Sequence, residues 1–221
     1  MIELVAKVLL AYLLGGIMGG DVAGRIAGGV DLRKSGSGNV GATNALRTKG
    51  AKFALAVLAF DIGKGVVAAL LLPLLPWPGG HDAAVQPWLG YACGVGAALG
   101  HCYPVYTQFK GGKGVATLTG VFGALLPAAL PWMIGAFAVV VMLTGYVSLA
   151  SLTGACVAAL WVACIGPQGL WSAPGAFALA MAALLAFKHR ENIGRLVQGT
   201  ESRFEKARVL GRLFDRSRGP T

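Results

Sequence analysis

Residues 114–187 read GVATLTGVFGALLPAALPWMIGAFAVVVMLTGYVSLASLTGACVAALWVACIGPQGLWSAPGAFALAMAALLAF, 74 residues without a single Asp, Glu, Lys or Arg. A membrane-spanning helix needs about 20 mostly apolar residues, with a lower limit near 17. The stretch is too long for two spans, at about 37 residues each, and fits four of about 18. Turn-forming punctuation falls where four spans need it: Pro127 with Pro131, Gly145 to Ser151, and Gly166-Pro167-Gln168-Gly169. Upstream, Leu4 to about Gly24, Phe53 to about Trp77 and Trp88 to about Thr107 are three further apolar runs.

Composition agrees with a membrane protein. Of 221 residues, 56% are hydrophobic and 13% charged, against about 25% charged in a typical soluble domain. The net charge of +10 is concentrated beside the apolar runs. Arg25, Arg33, Lys34, Arg47, Lys49 and Lys52 form one cluster, Lys110 and Lys113 a second, and the tail from Lys188 a third. Basic flanks of apolar spans mark the cytoplasmic side, so this pattern argues against nucleic-acid binding. If all three clusters are cytoplasmic, an even number of spans separates each neighbouring pair. The expectation is therefore an all-α integral membrane protein: a compact seven-transmembrane-helix bundle with the N-terminus periplasmic and the C-terminus cytoplasmic. Residues 1–203 form a single transmembrane domain and residues 204–221 a basic cytoplasmic tail. Parity also returns the turn near Tyr146 to Ser151 to the cytoplasm. The N-terminus lacks a strongly basic leader region and reads as a retained first span. The 34 glycines suit close helix approach in lipid.

Cys93, Cys102, Cys156 and Cys164 lie in or at the ends of apolar runs with no CxxC spacing. They read as small packing residues, neither a disulfide framework nor a metal set.

Three polar stretches stand out. In the first, residues 31–47, Gly36, Gly38 and Gly41 fit GxGxxG with Asp61 twenty residues on, but no strand precedes them and Asp61 lies in an apolar span, so the dinucleotide reading fails. What remains is a dense set of donors, Ser37, Asn39, Thr43, Asn44 and Arg47, among glycines that expose backbone N–H groups, a composition suited to an anion. In the second, Gly111-Gly112-Lys113-Gly114 lacks the Ser or Thr that a P-loop places after its Lys. A Gly-rich turn with a Lys feeding a helix N-terminus still attracts phosphate, although a basic juxtamembrane anchor explains it equally. In the third, His189 and Asn192 share a helix face at i, i+3. Asp61 and Lys64, also three apart, read as an internal pair, and Ser148 and Ser151 as helix-packing hydroxyls or as donors on the cytoplasmic face.

Taken together on one face, these groups fit phosphate-bearing substrates held electrostatically, with the apolar bundle suited to an acyl chain. A transporter of an organic anion also uses glycine-interrupted helices at basic sites, but the sequence has no internal repeat.

The stretches GSGNVGATNALR (36–47), FKGGKGVAT (109–117) and KHRENI (188–193) resemble the PlsY family of bacterial acyl-phosphate:glycerol-3-phosphate acyltransferases. The resemblance runs from about residue 4 to 203 in order and spacing. Ser35 departs from it, standing where an apolar or aromatic residue is common. No His-x4-Asp motif of the other glycerophosphate acyltransferase class occurs: five places after His81, His101 and His189 stand Gln86, Tyr106 and Gly194.

The resemblance implies transfer of a fatty acyl group from acyl phosphate to the 1-hydroxyl of sn-glycerol 3-phosphate. The products are lysophosphatidate and phosphate, with no cofactor or metal. It implies Ser37, Arg47, Lys113, His189 and Asn192 as catalytic residues. Gly38, Asn39, Thr43, Asn44, Lys110, Gly111, Gly112, Gly114, Ser148 and Ser151 are implied to bind substrate or phosphate. The implied setting is the bacterial inner membrane with the site on its cytoplasmic side. Partners are the two substrates and the bilayer, with functional coupling to the enzyme that makes acyl phosphate.

Overall fold

The computed structural model describes residues 1–167 and 169–217, with side chains up to Leu213 in the last helix. Gln168 of the predicted third turn and residues 218–221 of the tail lie outside the described residues. Among the described residues the chain is helical with no strand. It divides into two compact units, Met1–Pro127 and a second beginning at Ala128.

The first unit contains α1 (Ile2–Gly16), α2 (Gly19–Ile26), α3 (Ala42–Lys49), α4 (Ala51–Leu74), α5 (Gln86–Cys102) and α6 (Val115–Leu125). The sequence predicts one continuous span from Leu4 to Gly24. Instead α1 and α2 are bent by 45° at Ile17–Met18. A break at membrane depth frees backbone groups that lipid cannot satisfy, and here buried side chains take them. Lys64 Nζ donates to the Gly15 carbonyl at 2.7 Å and the Ile17 carbonyl at 2.8 Å. Asp61 accepts from Gly19 N–H at 3.1 Å. Asp61 and Lys64 themselves pair at 2.8 Å, as their spacing predicts.

Helix α1 lies along α5 because glycines let the backbones touch. A Cβ on Gly15 would strike the Ala97 carbonyl, and one on Gly100 the Tyr12 carbonyl. Gly65 and Gly120 do the same for α4 and α6. This is the small-residue packing that lipid-embedded helices use. Near the start of α1, Glu3 and Lys7 are each 1% exposed and joined at 2.8 Å. Lys7 also donates to the Pro73 carbonyl, and Glu3 receives the Asp82 N–H and contacts His81 Nδ1 at 2.8 Å. The sequence signal for this cluster is the i, i+4 spacing of Glu3 and Lys7. The predicted third span stops sooner than expected, at Cys102, because Pro104 begins a short turn over Val105–Thr107.

The second unit contains α7 (Leu130–Thr144), α8 (Val147–Cys164), α9 (Ala173–Lys188), α10 (Arg190–Val197) and α11 (Val209–Ser217). Pro131 stands in the first turn of α7, and Gly145, at φ +76°, closes its end. The first turn of α9 holds Pro174 and is capped by the Ser172 hydroxyl, which accepts from Gly175 N–H at 3.2 Å. The turn expected from Tyr146 to Ser151 is confined to Gly145 and Tyr146, so Ser148 and Ser151 belong to the first turns of α8.

Helices α4 and α8 are each long and apolar enough to cross a membrane, as is the bent α1–α2 pair taken as one span. The polarity is inside-out. Ile2, Leu9, Leu55, Trp132, Leu160 and Leu179 are exposed, whereas Glu3, Lys7, Asp61 and Lys64 are buried. A water-soluble domain does the reverse, and such intramembrane charges face protein partners.

Candidate active site

The first polar stretch is a loop wrapped around one side chain. Asn44, in the first turn of α3, is 2% exposed. Its amide nitrogen donates towards the carbonyls of Leu32, Ser35 and Asn39 at 3.1, 3.0 and 2.8 Å. Its Oδ1 accepts from Ser37 N–H at 3.0 Å. A group expected to bind substrate is thus committed to shaping the loop. Asn39 shapes it too, its Oδ1 accepting from Gly41 N–H at 2.9 Å. Gly36 sits at φ +57°, and a Cβ there would strike Asn44 Oδ1, so the position requires glycine. Outside this scaffold Ser37, Gly38, Thr43 and Arg47 are exposed. The loop's far end is tied down by Arg33, which meets Asp21 through its two terminal guanidinium nitrogens. The Asp21 carboxylate holds the Arg33 pKa above its ordinary value against the opposing effect of burial. Ser35 Oγ is buried without a hydrogen-bond partner; an apolar side chain would fit that position without this orphan.

The second stretch is built over His101, which the sequence reading did not single out. Gln108 and Phe109 both have positive φ, +51° and +62°, and lead into Lys110. Gly112 N–H donates to the His101 carbonyl at 3.0 Å. A Cβ on Gly111 would strike that same carbonyl, and one on Gly112 would strike His101 Nε2. Below the glycines, His101 Nδ1 is 3.1 Å from Thr117 Oγ1 and 3.6 Å from Asp61 Oδ1. The glycine turn, the α1–α2 break and the start of α6 therefore share one buried polar network. Gly114, at φ +86°, precedes the first residue of α6. Lys113 is half-buried and Lys110 exposed at this turn. The signal for His101 was its position at the polar end of an apolar run, nine residues before Lys110.

In the second unit the organising group is Glu201, read from sequence only as a tail charge. Its Oε1 accepts from Ser148 Oγ at 2.7 Å and Asn192 Nδ2 at 2.6 Å, and its Oε2 from Arg195 Nε at 2.8 Å. Burial raises its pKa, but these three donors outweigh burial and hold the carboxyl below its ordinary value. Ser148 and Asn192 are thereby brought together. Ser151 is not part of this set: its hydroxyl donates to the Val147 carbonyl at 2.9 Å within α8. His189, 2% exposed, stands at the junction of α9 and α10, with Nδ1 2.9 Å from the Leu185 carbonyl. A carbonyl only accepts, so Nδ1 is the donor in this contact.

All four cysteines are free, Cys93 and Cys102 buried. Among the described residues no group of three or more His, Cys, Asp or Glu is placed to hold a metal ion. The chemistry on offer is cationic and amide-based: Arg47 on α3 and Lys113 in a glycine turn in one unit, and in the other a buried His189 and, separately, Asn192 and Ser148 held by Glu201.

Comparison with known proteins gives this chemistry a family. The family description "Glycerol-3-phosphate acyltransferase" matches residues 5–199. A glycerol-3-phosphate acyltransferase of Geotalea daltonii is 40% identical over 202 residues, covering 91% of this chain and 98% of that protein. Those of a Thermus thermophilus strain and of Aquifex aeolicus are 40% and 39% identical, over 92% and 89% of this chain and 96% and 97% of theirs. Two crystal structures of PlsY (YgiH), an integral membrane glycerol 3-phosphate acyltransferase, superpose with TM-scores of 0.79. The glycerol 3-phosphate form is 38% identical and covers 91% of this chain and 95% of its own. The lysophosphatidic acid form is 37% identical and covers 94% and 98%. The chain belongs to the PlsY family of integral membrane glycerol-3-phosphate acyltransferases and is an acyltransferase.

Proposed function

We propose that this acyltransferase moves a fatty acyl group from acyl phosphate to the 1-hydroxyl of sn-glycerol 3-phosphate, releasing lysophosphatidate and inorganic phosphate. The observation that carries the proposal is two exposed or half-buried cations near glycine-built loops, Arg47 on α3 after the 36–41 loop and Lys113 in the 111–114 turn, in a chain of this family. Two anionic reactants need cations and backbone donors, and those turns supply both. Seven spans cross the bacterial inner membrane, with the N-terminus outside and the reaction on the cytoplasmic side.

Arg47 and Lys113 clamp phosphate oxygens, the guanidinium as a fork and the ammonium as a point charge. Ser37, Thr43, Lys110 and the amides of Gly38, Gly111, Gly112 and Gly114 hold the donor and stabilise the oxyanion that develops on its carbonyl. Asn39 and Asn44 act by shaping the loop that presents Ser37. His189 accepts a hydrogen bond from the glycerol hydroxyl, and Asn192, fixed by Glu201, orients it; Ser148 shares that Glu201 oxygen, and Ser151 follows one turn on in α8. The hydroxyl oxygen attacks the acyl carbonyl carbon, the tetrahedral intermediate collapses, and the carbon–oxygen bond to phosphate breaks. The departing phosphate takes the hydroxyl proton. Positioning supplies most of the rate.

Purified protein in detergent tests this directly. Phosphate should leave palmitoyl phosphate only when glycerol 3-phosphate is present, without acyl-CoA or acyl carrier protein. Turnover with an acyl thioester and none with acyl phosphate would refute the donor. Isolation of an acyl ester on Ser37 would replace direct attack with a two-step route.

A further inference from the structure

Beyond the last residue matched to the family, the chain continues past residue 199 into a segment folded back onto the second unit. Phe204 N–H donates to the Gly145 carbonyl at 2.8 Å. Arg203 Nε donates to the Tyr146 hydroxyl at 2.8 Å, and its guanidinium lies 5.0 Å from that ring's centre. Gly211 of α11 packs so closely on the Leu143 carbonyl that a Cβ would strike it. The segment is therefore fastened to the end of an apolar helix, α7, where that helix gives way to the Gly145–Tyr146 turn.

So placed, α11 presents two kinds of surface outward. Val209 and Leu213, one turn apart, are 49% and 56% exposed. Beside them on the helical wheel is Arg212, and Lys206 is exposed in the turn before. Across residues 203–217 five cations, Arg203, Lys206, Arg208, Arg212 and Arg216, stand against two anions, Glu205 and Asp215. Exposed apolar groups bordered by basic ones, on a helix lying at the end of an apolar helix in an integral membrane protein, match the two demands of an anionic bilayer interface.

We propose that residues 203–217 form an interfacial strap that docks on anionic phospholipid headgroups, with Val209 and Leu213 entering the acyl boundary and Lys206 and Arg212 meeting phosphate. A soluble acidic partner would match the charge but leave the two exposed aliphatic side chains unexplained. The strap is separate from the groups proposed to react, so its failure would leave the acyltransferase assignment intact.

Backbone hydrogen exchange of the full chain in lipid nanodiscs tests the strap. Exchange across 203–217 should be slower in nanodiscs containing phosphatidylglycerol than in pure phosphatidylcholine. Each basic group at an anionic surface shifts the docked population by roughly fivefold at low salt. The double variant Lys206→Gln/Arg212→Gln should lose about 25-fold of that protection while retaining phosphate release. Should that variant incorporate poorly, raising the salt on the wild-type chain must erase the same difference. Equal exchange in both lipids would overturn the proposal. So would protection indifferent to salt, or protection that appears only when an acidic protein is added.

Discussion

Replacing Asn44 by Asp is a sharper test of the loop scaffold than replacing it by Ala. The two amide ends face different partners: three carbonyls on the nitrogen side and the Ser37 N–H on the oxygen side. Asn44→Ala removes all four contacts. Two of the carbonyls keep another donor, since Ser35 N–H reaches Leu32 O and Gly38 N–H reaches Ser35 O. The Asn39 carbonyl and the Ser37 N–H must turn to water. At about 1 kcal/mol per net hydrogen bond, and more for a group left dry, the loss is roughly 2–4 kcal/mol. Asn44→Asp keeps volume and the acceptor for Ser37 but points a buried charge at three carbonyl oxygens, which costs still more. Thermal unfolding of the purified variants, followed by tryptophan fluorescence, should rank wild type above Ala and Ala above Asp. Phosphate release should fall in both: Ala removes the acceptor that anchors Ser37, and Asp keeps it but turns a charge on the carbonyls that shape the rest of the loop. An Asp variant as stable as Ala would show that the nitrogen end of Asn44 does not hold the loop.

Three further outcomes are expected. The depressed pKa of Glu201 means its contribution to stability is complete above the ordinary value of 4.5 and is lost as pH falls through the lower folded-state value. Glu201→Gln should therefore unfold at lower temperature than wild type at neutral pH, with the gap closing in acid; a constant gap would refute the carboxylate's role. Lys64→Met leaves Asp61 buried without its ammonium and frees the Gly15 and Ile17 carbonyls, at a cost of about 3–5 kcal/mol. Replacing Asp61 by Leu as well should recover only part, since those carbonyls and Gly19 N–H stay unpaired; full recovery in a denaturation series would sink the account of the bend. Arg47→Lys keeps the charge but not the fork, so kcat/KM should fall by about tenfold or more, a loss of at least about 1.4 kcal/mol, and wild-type kinetics would count against the clamp.

Much of this architecture was legible in the residues themselves. The charge-free run 114–187 and its proline and glycine punctuation mark helix ends that the structure places at Leu125, Thr144 and Cys164, because proline and glycine act locally. The α1–α2 bend was not legible, since the groups that satisfy it come from α4, more than 40 residues away. His101 and Glu201 escaped notice for a similar reason. Neither forms a short motif, and each matters through what tertiary packing brings to it. The loop contacts of Asn44 were not legible either, because composition reveals polar density and not which donors the loop consumes. Ser37, Arg47 and Lys113 keep, in the proposed reaction, the substrate-facing roles that the resemblance implies.

The bend between α1 and α2 also has a bearing on biogenesis. A ribosome delivers Gly15 and Ile17 to the membrane well before it delivers Lys64. Until α4 arrives, the bent form has two carbonyls and an amide with no protein partner, so the early chain is driven either to stay straight or to keep the bend wet. Protein partners for the kink thus arrive only with α4, when Lys64 and Asp61 come to lie beside a helix already made.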